Sequence, residues 1–245
     1  MSDSDPQQER KTNTPEDGEG LQTQPQPALN IPVILIFFSM ACVGLHIFRT
    51  EMADFDLNRQ LIIFFAFIPL RYAPDFIALD LPTIVAPITY SLLHGDWIHL
   101  GINLIWLVAF GSPVAWRLGW YRTVLFWIIT SACAAGFHLM LYFGDEVPLI
   151  GASGAVSGFM GAAARFGFRT DGKHPRRGFV AGRMSILQTL KIPSVVGFLI
   201  VWVVVNYLSG TGFMGIAGDR SIAWEAHIGG LLAGFLLIGF IDRKP

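Results

Sequence analysis

Charge is scarce in this sequence. Asp, Glu, Lys and Arg together make up 14% of its 245 residues, against about 25% in an ordinary soluble domain. The formal net charge is −1, and no basic stretch interleaved with aromatics occurs, so nothing here suits a nucleic-acid partner. Cysteine is nearly absent. Cys42 and Cys133 each sit in an apolar run and form neither a disulfide framework nor a CxxC metal site. There is no HExxH, and His94 and His99 are five apart rather than four, so a helix-borne zinc site is not indicated. A soluble lipase would need GxSxG after a strand, but Ala155 stands where the last glycine should be. The first 30 residues lack both the apolar stretch of a secretory signal and the Arg-rich, acid-poor character of a presequence. They are polar, acidic and rich in Pro and Gln, and are expected to be a disordered tail, with residues 31–245 forming the domain.

What the sequence has in quantity is apolar length. Hydrophobic residues make up 53%, more than one soluble core hides, and a bilayer is the natural solvent. About 20 apolar residues cross its hydrocarbon. Six segments qualify: roughly 31–48, 92–113, 119–143, 149–168, 190–209 and 223–241. The fold expected is therefore all-α, a polytopic bundle of six transmembrane helices. A further apolar stretch, Leu61 to Leu70, is too short to cross and is placed at the interface or inside a long first loop. Six spans put both termini on one side. With the tails and the 2–3 and 4–5 connections on that side, it holds thirteen Lys and Arg against four opposite, and the positive-inside rule makes it cytoplasmic. The basic run from Arg165 to Arg183 is then a cytoplasmic loop obeying the same rule.

Polar groups within spans are costly and mark function by default. Four stand out: His99 and Asn103 on span two, Ser153 on span four and His227 on span six. His99 and Asn103 are four apart and share a helix face. Counting from His94, they lie about 8 Å and about 14 Å into the membrane at 1.5 Å per residue. Ser153 and His227 each fall near the outer end of their span. Three separate helices thus bring polar groups to the outer half of the membrane. Span four carries Gly154 and Gly158, and span six Gly230 and Gly234, spaced as small-xxx-small faces that let backbones approach in lipid. If those faces meet, Ser153 and His227 come to matching heights. A serine needs a neighbouring base to become a nucleophile, and histidine suits that role near neutral pH. The oxyanion formed by attack needs preorganised donors. The side chains of His99 and Asn103 can donate, as can the Ser153 N–H, which lies unpaired in the first turn of its helix. No carboxylate lies deep in these spans, so a Ser–His dyad is expected.

Singly, each residue has a plainer reading. A membrane serine ordinarily bonds back to its own helix, an intramembrane Asn ordinarily ties helices together, and His46 and His138 have no partner constellation. The joint pattern outweighs these readings.

These residues resemble the rhomboid intramembrane serine proteases. The similarity is carried by Gly151-Ala152-Ser153-Gly154 on span four, Ala226-His227-Ile228-Gly229-Gly230 on span six, and His99-Leu100-Gly101-Ile102-Asn103 on span two, with His94 before it. The resemblance implies Ser153 as nucleophile, His227 as general base and acid, and His99, Asn103 and the Ser153 N–H as oxyanion hole. His94, Gly151, Gly154, Ser157 and Gly230 would support them. It also implies a long first loop over roughly 49–91, a mobile span five that admits substrate, no metal or cofactor, transmembrane proteins as substrates, and the basic six-span form of the bacterial cytoplasmic membrane. Two departures stand out. Many members carry Trp-Arg in the first loop, where this chain has Val85-Ala86 nearby. Many place an aromatic residue four positions after the nucleophile, where this chain has Ser157, a hydroxyl that could hydrogen-bond His227. The rivals are a client-binding relative without catalysis, which should lack Ser153 or His227, and a small transporter, which should show repeats or broken helices.

Overall fold

A computed structural model describes residues 30–211 and 223–243. The expected tail, apart from Asn30, lies outside the described residues. Within them the chain is helical and forms no named strand; two isolated bridges, Phe67 with Leu149 and Thr170 with Phe179, join loops.

Helix α1 (Val33–Ile47) continues through a wider π-helical turn to Met52. A first loop follows, carrying α2 (Phe55–Phe65) and α3 (Leu81–Thr89). Asp54 and Asp80 begin these two helices, each accepting a backbone N–H with its carboxylate, an N-cap that satisfies donors otherwise orphaned. The apolar stretch Leu61 to Leu70 ends α2 and then turns inward, burying Ala66, Phe67 and Pro69 against the bundle. The two-way backbone pairing of Phe67 with Leu149 fastens this loop to the segment leading to Ser153.

The second span is α4 (Trp97–Trp106), continued by a π-helical turn at Leu107–Gly111 and by α5 (Ser112–Leu118). Its start is three residues later than His94, because Asp96 caps it by accepting the His99 N–H at 2.8 Å. Gly119, at φ +80°, turns the chain into α6 (Trp120–Leu141). After α7 (Ser153–Ala164), a loop with the short α8 (Ile186–Thr189) leads to α9 (Pro193–Gly210), and the described chain ends with α10 (Trp224–Ile241).

Among the described residues, five helices are long and apolar enough to cross a membrane: Val33–Met52, Trp97–Leu118, Trp120–Leu141, Pro193–Gly210 and Trp224–Ile241. The fourth expected span, about 149–168, is corrected. Its helix is only the 12 residues of α7, about 18 Å long at 1.5 Å per residue. Gly151 at φ +114° precludes an earlier start, and Gly167 and Phe168, both at positive φ, prevent continuation. Such a short helix is tolerated because it does not face lipid. Eleven of its twelve residues are buried, and irregular backbone at membrane depth is stable where protein surrounds it. α7 is the hub of the bundle, with α10, α6 and α4 packed around it. Val156, Phe159, Ala162 and Ala163 lie in the main apolar core with Phe126 and Trp127 of α6 and Ile238 of α10.

α9 is held differently. Its apolar residues are largely exposed, and Val195 is its one buried residue.

Candidate active site

Glycine decides how α7 and α10 approach. A methyl on Gly230 would overlap the carbonyl of Gly154, and one on Gly234 would overlap the carbonyl of Gly158. The two contacts keep the same offset in residue number, so the helices run parallel. Carried one turn outward, that register sets His227 level with Gly151, just before Ser153. Gly229 faces the other way, where a Cβ would come within 2.6 Å of the Phe137 Cβ. α10 is thus wedged between α6 and α7, its Gly230 and Gly234 against the backbone of α7 and its Gly229 against the Phe137 side chain of α6.

Ser153 is the first residue of α7, so its N–H has no place in the helical ladder. The turn before it is braced from two sides. The Gly151 N–H donates to the Tyr90 carbonyl at 3.0 Å. The Ala152 N–H donates to Nε2 of His94 at 3.4 Å. Gly151 is required on two counts: its φ of +114° favours glycine, and a Cβ there would lie 2.7 Å from Nε2 of His99. That same point is 3.6 Å from the Ser153 Oγ, so Nε2 of His99 and the serine hydroxyl both border the space that a side chain on Gly151 would fill.

The orientation of His99 follows from its other nitrogen. Nδ1 accepts the Gly95 N–H at 3.5 Å, which leaves Nε2 as the protonated, donating nitrogen beside Gly151. Asn103, one turn deeper and buried, donates one amide N–H to the His99 carbonyl at 3.1 Å. Its second amide hydrogen remains available. His94 is fully buried, its ring 5.2 Å from that of His99.

His227 and Ser153 are each half-buried. Among the described residues no hydrogen bond joins them. Nor does the Ser157 hydroxyl reach the His227 ring, although Ser157 is buried on α7. The partner of His227 is Asn206 of α9, whose Oδ1 lies 2.5 Å from Nδ1. Trp202, one turn earlier on α9, places its ring 6.3 Å from the imidazole. Asn206 escaped the sequence reading, although the signal was there: it is the one Asn in an otherwise apolar span.

Two further polar groups near the site also escaped it. The hydroxyl of Tyr90, on the first loop, is fully buried and donates to the Ser131 carbonyl of α6 at 3.0 Å. It occupies the space where a Cβ on Gly154 would fall, 2.6 Å away. His138, read as a histidine without partners, binds Glu225 of α10 through Nδ1 at 2.7 Å and faces the Val147 carbonyl with Nε2 at 3.0 Å. Both residues of that pair are buried. It ties α6 to α10 two residues before His227.

A sequence model of the rhomboid domain matches residues 83–244, a range that holds every residue of this site from Tyr90 to His227. Among curated proteins, the chain is similar to the "Rhomboid protease GlpG" of Yersinia pestis (strain Pestoides F), 27% identical over 157 residues, covering 64% of this chain and 48% of the relative. It is 29% identical over 157 residues to the protein of the same name from Serratia proteamaculans (strain 568), with the same coverage. The corresponding protein of Photorhabdus laumondii is 27% identical over 156 residues, 64% of this chain and 47% of the relative. The chain spans about half the length of the curated relatives it matches. With two thirds of its length under the family model and the apolar helices that the fold requires, the chain is an integral membrane protein and belongs to the rhomboid family.

Proposed function

We propose that the chain is an intramembrane serine endopeptidase that cleaves transmembrane proteins in or near their membrane segments, with Ser153 as nucleophile and His227 as general base and acid. The observation that carries this reading is the parallel glycine packing of α7 on α10, which sets His227 beside the helix start where Ser153 and His99 share the space at Gly151.

The chemistry follows from the atoms available. Ser153 Oγ attacks the scissile carbonyl carbon while Nε2 of His227 takes the hydroxyl proton. The carbonyl oxygen becomes an oxyanion. Its donors are the Ser153 N–H, Nε2–H of His99 and the second amide hydrogen of Asn103, aided by the positive end of α7. His227 then gives its proton to the departing amine, the C–N bond breaks, and an acyl-serine remains. Water, deprotonated by His227, attacks that ester, releases the acid and restores Ser153. No step calls for a metal or an organic cofactor. A weak helix in the substrate favours the reaction, because an intact helix hides its carbonyls.

The setting is proposed on the same footing: a bacterial cytoplasmic membrane, both termini cytoplasmic by the charge bias, a tail over residues 1–30 and the protease domain over 31–245. His94, Gly151, Gly154 and Gly230 support the dyad by the contacts described, and Ser157 lies one turn below Ser153.

The test is cleavage of a labelled single-span substrate by purified protein in liposomes. Wild type is compared with Ser153→Ala and His227→Ala, with and without a chelator. Activity lost in both variants and indifferent to chelator supports the dyad. Cleavage that persists without Ser153 rules it out.

A further inference from the structure

Asn206 makes two hydrogen bonds, and together they set the chemistry of a third group. Its Nδ2 donates to the Trp202 carbonyl at 2.8 Å. A carbonyl oxygen can only accept, so the NH2 end of the amide must face Trp202 and the Oδ1 end must face His227. Oδ1 likewise can only accept. At 2.5 Å from it, Nδ1 of His227 must therefore carry a proton. A neutral imidazole protonated at Nδ1 has its lone pair on Nε2, and that is the nitrogen a general base presents to a serine hydroxyl. The tautomer of His227 is thus dictated by a backbone carbonyl on another helix, relayed through one amide.

The alternatives around the ring do not do this. Ser157 makes no hydrogen bond to His227, and Trp202 touches it only as a neighbouring ring. Glu225, two residues away on α10, is turned to His138. Asn206 alone among the described residues hydrogen-bonds the imidazole.

We propose that Asn206 is the positioning residue of the dyad: from α9, it holds His227 in the Nδ1–H tautomer and aims Nε2 at Ser153. This rests on the dyad reading above. The amide is neutral, so it orients the base without adding a charge to a membrane-embedded site. Since α9 has a single buried residue, the bond is made only when that helix lies against α10, and the base is in order only in that arrangement.

The experiment labels Ser153 with an organofluorophosphonate, a probe of serine activation that does not depend on substrate, alongside cleavage kinetics. Asn206→Leu keeps the volume and suits an apolar helix; Asn206→Asp keeps the acceptor. The expected result is a roughly 10- to 100-fold slower labelling and kcat in Asn206→Leu, a part of the roughly 100- to 10,000-fold that general-base catalysis supplies, with KM unchanged. Asn206→Asp should recover most of both rates. Nitrogen-15 spectra of selectively labelled histidine should show His227 as the Nδ1–H tautomer in the wild type and a tautomer mixture in Asn206→Leu. Wild-type labelling and an unchanged His227 signal in Asn206→Leu overturn the proposal, as does an Nε2–H tautomer in the wild type. Loss in both variants with an unchanged His227 signal also overturns it, since that is the result of a merely structural residue. Labelling that survives in Ser153→Ala overturns the dyad itself, whatever Asn206 does, so the two failures are distinguishable.

Discussion

Gly230 of α10 lies so close to the Gly154 carbonyl of α7 that there is no room for a methyl group between them. Gly230→Ala must therefore push the helices apart and lift His227 from the Ser153 turn. Overpacking of this kind costs about 1–3 kcal/mol, and the expected outcome is a lower thermal midpoint in detergent together with loss of cleavage. Gly136→Ala on α6, where a Cβ meets nothing within 4 Å, is the control and should leave both unchanged. An active, fully stable Gly230→Ala protein would contradict the packing.

Gly151→Ala tests the turn rather than the bundle. The new Cβ would sit at a φ of +114° and 2.7 Å from Nε2 of His99, displacing that donor. Loss of an oxyanion donor costs about 100- to 1,000-fold in kcat. The prediction is a fall of that size in turnover, with a much smaller change in thermal midpoint than Gly230→Ala produces. Equal loss of stability in both would mean that Gly151 serves the fold alone.

The buried pair of His138 and Glu225 gives a test of stability without chemistry. Glu225→Ala leaves Nδ1 of His138 unpartnered in the interior, and a buried polar group left without its hydrogen bond costs about 1–3 kcal/mol. Replacing both, as His138→Phe with Glu225→Leu, removes the orphaned group and should recover most of that loss. Thermal unfolding of the two variants decides it. A double variant less stable than Glu225→Ala would show that the pair contributes more than it costs to bury.

Tyr90→Phe removes one hydroxyl and with it the second hydrogen bond of the Ser131 carbonyl, which keeps the bond of its own helix. The expected cost is about 0.5–1.5 kcal/mol, read as a lower thermal midpoint, with cleavage reduced but not abolished because the Tyr90 backbone still accepts the Gly151 N–H.

Much of the candidate site was legible in the linear chain. Ser153, His227, His99 and Asn103 are polar residues in apolar surroundings, and the expense of placing them there makes each conspicuous. The glycine pairs on spans four and six were legible for a similar reason: spaced four apart, they form a face, and a face without side chains has little use except close approach. Helix boundaries were less so. Span four reads as apolar over about 149–168, but hydropathy does not register the positive φ of Gly151 and Gly167 that confines its helix to Ser153–Ala164.

Sequence alone therefore determined the solvent, the helical class and the residues able to do chemistry, because these depend on side-chain polarity and on local spacing. Tertiary structure alone decided the partners. His138 pairs with a residue 87 positions away and His227 with one 21 positions away, while the Ser157 hydroxyl, four residues from Ser153, does not hydrogen-bond His227. A hydrogen bond is fixed by donor and acceptor within about 3 Å at a suitable angle, and which groups reach that distance depends on how α6, α7, α9 and α10 pack, which spacing along one chain does not encode.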